Sequence, residues 1–265
     1  MTVKAPESNA SSGPAWVNDL VRAEPKAPLM VPFMAYLILI GVNDLLFKEN
    51  NSVLAASWQP VWIAVHIAVA GWVTWLFRHH YPPWGHRHLG IAVVVGVLAA
   101  GLWVGGQHLL DGIMVGGRSL GGALSVSSQA PFLTLKVSQP VDPHGTLGNG
   151  ALFWVQIVLK ICRAVTIVPI VEELFWRGFI LRAFVRWDWF DRVPWGSFSW
   201  RAFLGSAILS VAEHPASWGV SIACWLLYNG LFYWKKSLWC LILTHAITNL
   251  VLYVYVVSTG DWRFW

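Results

Sequence analysis

The feature that most constrains this sequence is a series of seven apolar segments separated by polar loops. They cover residues 30–47, 58–77, 89–110, 155–182, 201–214, 218–234 and 237–257. A membrane-crossing helix needs about 20 mostly apolar residues. Only 12% of the chain is charged and 56% is hydrophobic, whereas a soluble domain has about 25% charged residues. The sequence therefore predicts an all-α, polytopic transmembrane helical bundle with about seven to eight spans.

The same segments divide the chain into five parts. Residues 1–28 are expected to be a polar cytoplasmic tail, residues 29–110 three transmembrane helices and residues 111–150 an external loop. Residues 151–257 form a second transmembrane core, and residues 258–265 are a C-terminal tail. With the N-terminus in the cytoplasm, most Lys and Arg lie in cytoplasmic loops, as the positive-inside rule requires. The net charge of +5 then reflects loops that face anionic lipid, and we expect no nucleic-acid partner.

The fourth apolar segment contains the run Glu-Glu-Leu-Phe-Trp-Arg at residues 172–177. A charge at the centre of a membrane helix costs on the order of 2.5–3.5 kcal/mol, so such groups persist when they pair, line a wet cavity or do chemistry. Glu173 and Arg177 are four residues apart on one helix face and can form a buried ion pair, which favours a structural role for Glu173. Glu172 is rotated by about 100° from Glu173 and faces another neighbour. Glu172 is therefore the candidate base.

Two further polar groups follow in the later apolar segments. His214 directly precedes Pro215, and a proline breaks a helix, so the imidazole can turn into a cavity. His245 and Asn249 are four residues apart and converge on one patch of their helix. Donors from an imidazole and an amide can stabilise an oxyanion.

These groups are predicted to lie at similar depths in the membrane. Counted from the nearest basic loop residue at 1.5 Å per helical residue, Glu172 is about 15 Å deep, His214 about 20 Å and His245 about 13 Å. A shared cavity that opens toward the cytoplasm explains this alignment. A carboxylate, two imidazoles and an amide around one point suit the activation of water and the hydrolysis of an amide bond.

The motifs also resemble those of a known family. In chain order they read Glu172-Glu173-x-x-x-Arg177, then His214, then His245-x-x-x-Asn249. This pattern on successive apolar helices resembles the CAAX protease and bacteriocin-processing (CPBP) family, over roughly residues 150–257. The family's second motif usually has Phe four residues before its His, where this chain has Ser210. We interpret that position as one of packing rather than catalysis.

The resemblance implies an intramembrane endopeptidase of the glutamic type. Glu172, aided by His214, would activate the attacking water without a cofactor. His245 and Asn249 would form the oxyanion site. The ion pair of Glu173 and Arg177 would stabilise the fold around it. The substrate implied is a membrane-associated or lipidated protein or peptide, since eukaryotic relatives remove the last three residues of prenylated CAAX proteins.

The many Trp residues and the Phe-Trp-Arg-Gly run at residues 175–178 resemble one branch of this family. That branch comprises CAAX-protease-related proteins found beside bacterial sorting systems of the exosortase type. The resemblance implies an exosortase-type system as a partner and the bacterial cytoplasmic (inner) membrane as the location.

Two alternatives remain open from the sequence. Glu172, His214 and His245 could instead bind Zn²⁺, because two imidazoles, a carboxylate and water form a known catalytic set. The sequence contains no His-Glu-x-x-His helix, which argues against this reading. The second alternative is a non-catalytic membrane scaffold or immunity-type protein with the same fold, against which the intact motif residues argue.

The other polar residues in the apolar segments include His66, Glu213 and Asn229. His66 stands alone in the second segment and is expected to be a packing histidine. Glu213 adjoins His214 and either orients it or faces a wet cavity. Asn229, in the sixth segment, is expected to form an interhelical hydrogen bond.

Overall fold

Helices make up nearly all the regular structure, which confirms the predicted all-α class. The computed structural model describes residues 13–47, 53–124, 142–148, 150–214 and 216–265, the side chains of residues 44–47, 53–56, 145 and 146 excepted. Within these residues a single antiparallel pair of two-residue strands, β1 (Met114–Val115) and β2 (Arg118–Ser119), interrupts the helical structure.

Eleven α-helices lie in the described part of the chain. They are α1 (Ala15–Ala23), α2 (Ala27–Phe47), α3 (Val53–Leu76), α4 (Leu89–Gly112), α5 (Leu120–Ala123), α6 (His144–Leu147), α7 (Ala151–Glu173), α8 (Leu181–Val185), α9 (Trp200–Leu209), α10 (Trp218–Lys235) and α11 (Leu238–Thr259). A π-helix, Leu174–Ile180, joins α7 to α8. Short 3-10 helices cover Phe190–Arg192, Ser210–Ala212 and Trp262–Phe264.

The predicted number of spans is not confirmed. Four helical stretches in the described residues are long and apolar enough to cross a membrane: Ser57–Leu76, Leu89–Gly112, Ala151–Val185 and Leu238–Thr259. A fifth results if α1 and the first part of α2, which meet at an angle of 104°, count as one broken span. Trp200–Ala212 is apolar but too short to cross. An apolar run in the sequence can thus form a helix that is shorter than a membrane span.

The long helices pack so that α11 lies between α4 and α7. Gly96 on α4 allows the closest approach, since a Cβ atom there would lie 2.8 Å from the carbonyl oxygen of Thr244 on α11. The hydroxyl of Thr248 donates to the Gly96 carbonyl at 3.1 Å and accepts from the Tyr228 hydroxyl at 2.6 Å. These contacts fix the rotation of α11, which carries two of the predicted site residues.

The fourth apolar segment forms one continuous helical stretch from α7 to α8, 35 residues long. Its turns widen into the π-helix directly after Glu172 and Glu173. Widened turns of this kind are rare and occur frequently at functional sites. The irregular backbone therefore coincides with the charged motif.

Helices α9 and α10 are joined by polar contacts across their interface. The Asn229 amide donates to the carbonyl of Phe203 at 3.0 Å and to the hydroxyl of Ser206 at 2.8 Å, which confirms the predicted interhelical hydrogen bond. Ser210, at the position where the CPBP family usually has Phe, is buried and lies 2.8 Å from the Ser221 hydroxyl. At this position the chain thus makes a hydrogen bond to α10.

The predicted helix break lies between α9 and α10. Pro215, to which the sequence assigned the break, is outside the described residues. The regular part of α9 ends at Leu209, a 3-10 turn continues to Ala212, and α10 begins at Trp218.

The C-terminal residues pack back onto the bundle. The guanidinium of Arg263 pairs with Asp111 at 3.0 Å and with Asp261 at 2.9 Å. The hydrogen bond from Arg263 is the main cause that lowers the pKa of Asp261 to about 2. These contacts hold the last residues of the described chain against the end of α4.

Candidate functional site

The four residues predicted to be catalytic line one cavity of about 740 Å³ inside the bundle. Glu172 comes from the end of α7, His214 from the segment after α9, and His245 and Asn249 from α11. The structure therefore brings together the three elements that the depth argument placed at a common level. The roles of these residues in a reaction stay predictions.

His245 lies between the two neighbouring carboxylates of the charged motif. Its Nδ1 is 3.0 Å from Oε1 of Glu173, a hydrogen-bond distance. Its Nε2 is 3.8 Å from Oε2 of Glu172, which is beyond a hydrogen bond but within range of an ion pair. The bond to Glu173 fixes the ring so that Nε2 points to Glu172 and the cavity.

Glu173 also binds Arg177, as the four-residue spacing predicted. Nη1 of Arg177 is 3.2 Å from Oε1 and 3.1 Å from Oε2 of Glu173, and both side chains are fully buried. The guanidinium lies over the rings of Trp225 at 5.3 Å and Tyr228 at 5.5 Å. Aromatic faces attract cations at this distance. Arg177 thus neutralises Glu173 behind the cavity, and Glu173 in turn holds His245.

His214 enters the cavity from the segment between α9 and α10. Its ring packs edge-on against Trp103 at 4.9 Å and Trp225 at 5.4 Å. The neighbouring Glu213 also lines the cavity, and its Oε1 accepts a hydrogen bond from the Trp176 indole at 2.9 Å. Of the two roles left open for Glu213, its contacts favour that of a cavity carboxylate.

Asn249 makes a contact that the sequence did not predict. Its amide donates to the backbone carbonyl of Ala164 at 2.8 Å and so ties α11 to α7. A side-chain amide has two N–H groups, so one remains for a group in the cavity. The four-residue spacing of His245 and Asn249 places both side chains on one face of α11. The spacing does not identify the groups of a neighbouring helix that this face contacts.

Sequence reasoning also missed several residues that line the cavity. Tyr36 of α2, Tyr253 of α11 and the C-terminal residues Arg263, Phe264 and Trp265 all contribute to its walls. Arg163 of α7 lines it too, six residues before Pro169. An arginine inside an apolar run is a signal available in the sequence, and here it marks a second charged part of the cavity.

In the described part of the chain, no three His, Cys, Asp or Glu side chains are placed together to hold a metal ion. The zinc alternative is therefore supported by the residue types of the motif alone. Treating the protein with a chelator tests this alternative.

One comparison with known proteins bears on this site. Residues 154–251 match the family model for Rce1-like proteins, described as type II CAAX prenyl endopeptidases. No curated protein and no solved structure matches the chain. The matched segment contains every residue of the predicted site. This match over residues 154–251 supports the resemblance to the CPBP family that the motifs predicted.

Proposed function

We propose that this protein is an intramembrane endopeptidase that hydrolyses a peptide bond of a membrane-associated or lipidated protein, using water activated by Glu172 and His214. The observation that carries the proposal is the common cavity of Glu172, His214, His245 and Asn249, with His245 fixed between two carboxylates. The apolar helices and the family match make the chain a multi-pass membrane protein.

In the proposed reaction Glu172 acts as the general base. Its carboxylate takes a proton from a water molecule, whose oxygen attacks the carbonyl carbon of the scissile bond. The protonated Glu172 then gives that proton to the leaving amine nitrogen as the carbon–nitrogen bond breaks. His214 faces the same cavity and would orient the water or pass the proton on.

The negative charge that develops on the carbonyl oxygen needs donors. We assign these donors to Nε2 of His245 and to the second amide N–H of Asn249. The Glu173 carboxylate at Nδ1 orients the His245 ring, so that a proton on Nε2 would point into the cavity toward the oxyanion. Removing one donor from an oxyanion site typically costs about 10²–10³-fold in kcat.

The walls of the cavity are mostly apolar. Phe33 and Leu37 of α2, Val168 of α7 and Phe175 of the π-helix line it, and a surface of this kind can accept a lipid chain or an apolar peptide. This composition, together with the prenyl substrates named for the matched family, supports a lipidated peptide as the substrate class. The bacterial inner membrane, the cytoplasmic N-terminus and an exosortase-type partner belong to the same proposal.

We expect the activity to survive chelation. Purified protein treated with EDTA and 1,10-phenanthroline, then freed of chelator, should cleave at its original rate, because Glu172 and His214 activate the water in the proposed mechanism. A loss of activity that added Zn²⁺ restores would support the zinc alternative and assign Glu172, His214 and His245 as ligands.

The function itself is tested by comparing protein termini in membranes. Cells that produce the wild-type chain and cells that produce Glu172→Gln at the same level are compared by terminal-peptide mass spectrometry. We expect one or a few membrane-associated proteins to lose a processed terminus in the variant. Identical termini together with unchanged biological activity would instead support the non-catalytic scaffold.

A further inference from the structure

A second, smaller cavity begins at the end of α8 and is separate from the candidate site. Its volume is about 250 Å³, and the residues that line it lie between positions 185 and 197. None of them lines the cavity that contains Glu172, so the proposed reaction does not use them. We call this cavity the basic pocket, because its lining residues in the described chain include two arginines and no acidic side chain.

The basic pocket lies where a candidate membrane span ends. Val185 is the last residue of Ala151–Val185, the helical stretch that is long and apolar enough to cross a membrane. It lines the pocket together with the next residue, Arg186. Trp187 and Trp200, on either side of the connecting segment, are 66% and 67% exposed. Exposed tryptophans beside the end of a span are typical of the membrane interface. The pocket is therefore expected at the depth of the lipid headgroups.

A buried arginine on α8 holds one wall of the pocket. Nε of Arg182 donates to the carbonyl of Val193 at 3.0 Å, and Nη2 donates to the carbonyl of Asp191 at 2.7 Å. Nη1 donates to the carbonyl of Gly178 in the preceding helical turn at 3.3 Å. The guanidinium also lies 4.8 Å from the ring centroid of Trp195. These contacts fold the segment after α8 back against the helix.

A close contact to α10 fixes the other end of the same segment. Gly196 has a φ of 71°, in the left-handed region, and a Cβ atom there would lie 2.6 Å from Cγ of Lys236. Lys236 is the residue that caps the end of α10. Glycine meets both requirements, because it has no Cβ atom and adopts a positive φ without strain. The segment is held at both ends, so the shape of the pocket is set by the fold.

Two arginines present their charges to the pocket. The guanidinium of Arg192 lies 3.9 Å from the ring centroid of Trp189, which lines the same pocket. In the described part of the chain, neither Arg186 nor Arg192 forms an ion pair with a carboxylate. Asp188 and Asp191 belong to the same segment, but neither lines the pocket. The pocket therefore has an excess of positive charge that an anionic ligand can neutralise.

We propose that the basic pocket binds the phosphate group of an anionic membrane phospholipid, with Arg186 and Arg192 as donors. A guanidinium can bind phosphate through two parallel hydrogen bonds, and basic pockets between membrane helices bind anionic headgroups. Val185 and Trp189 offer apolar surface to the carbon atoms next to the phosphate. A free phosphate ion lacks those carbon atoms, so we assign the site to a lipid.

Native mass spectrometry of the whole chain in a neutral detergent tests the proposal. The probes are dioleoyl phosphatidylglycerol and dioleoyl phosphatidylcholine, which both contain one phosphodiester, although only the first has a net negative charge. We expect the first bound phosphatidylglycerol to have a dissociation constant about 10–30-fold lower than that of phosphatidylcholine. Two basic residues near the membrane surface, each contributing roughly fivefold, produce a preference of this size.

Paired variants locate the preference. Arg186→Gln/Arg192→Gln should bind the two lipids with equal affinity, and Arg186→Lys/Arg192→Lys should keep part of the preference. The matched control is Arg78→Gln/Lys235→Gln. Each of these two cations also lies over a tryptophan ring, at 3.6 Å and 3.4 Å, and neither lines the pocket. The control should keep the full preference, and unfolding midpoints equal to that of the wild type show that the variants are folded.

Three results would overturn the proposal. The first is equal affinity of the wild type for the two lipids. The second is an equal loss of preference in the control variant, because a diffuse surface charge would then explain the selectivity. The third comes from inorganic phosphate, added without lipid and in large excess over the protein. We expect it to leave the unfolding midpoint unchanged. A stabilisation by phosphate that disappears in Arg186→Gln/Arg192→Gln would assign the pocket to the free ion.

Discussion

Replacing Glu172 with Gln is expected to lower the turnover number of the purified protein by about 10²–10⁴-fold, the usual contribution of a general base. The change removes the proton acceptor and keeps the shape of the side chain. Among the described residues Glu172 forms no hydrogen bond, and its nearest ionic contact is Nε2 of His245 at 3.8 Å. We therefore expect the thermal unfolding midpoint to stay at the wild-type value.

Glu213→Gln is the matched control for this prediction. Both carboxylates line the cavity, but the Glu213 carboxylate accepts a hydrogen bond from the Trp176 indole. The side-chain oxygen of Gln can accept the same hydrogen bond. We expect this variant to keep most of its turnover. If Glu213→Gln were inactive and Glu172→Gln active, with both variants folded, the general base would have to be reassigned to Glu213.

Much of the site could be predicted from the sequence because its main features are local. The Glu173–Arg177 pair follows from helix periodicity, and the common depth of Glu172, His214 and His245 follows from counting residues from the basic loops. Both arguments use only the geometry of a single helix and its distance from the membrane surface. Neither requires knowledge of how the helices pack against one another.

The remaining features depend on contacts between distant parts of the chain. The bonds from Asn249 to Ala164 and from Trp176 to Glu213 join different elements. The face of α11 that meets α4 is set by the close contact at Gly96, and the periodicity of the sequence does not identify that face. The predicted number of spans is not confirmed in the described residues, because hydropathy marks apolar runs, whereas a run such as Trp200–Ala212 can form a helix too short to cross.

Arg177→Leu is expected to lower the free energy of unfolding by about 3–5 kcal/mol, because it leaves the buried Glu173 carboxylate without its counter-charge. Both partners are fully buried, so water cannot replace the lost interaction. Thermal denaturation in detergent micelles, followed by circular dichroism, measures the effect. A single variant as stable as the wild type would show that the pair adds nothing to stability.

The double variant Glu173→Leu/Arg177→Leu separates stability from positioning. Removing both charges often leaves a protein as stable as the original, so we expect most of the lost stability to return. The activity should not return with it, because Nδ1 of His245 then lacks the Glu173 acceptor at 3.0 Å that orients the ring toward the cavity. A stable double variant with wild-type turnover would show that His245 needs no support from Glu173. A stable but slow one would show that the buried pair supports His245 as well as the fold.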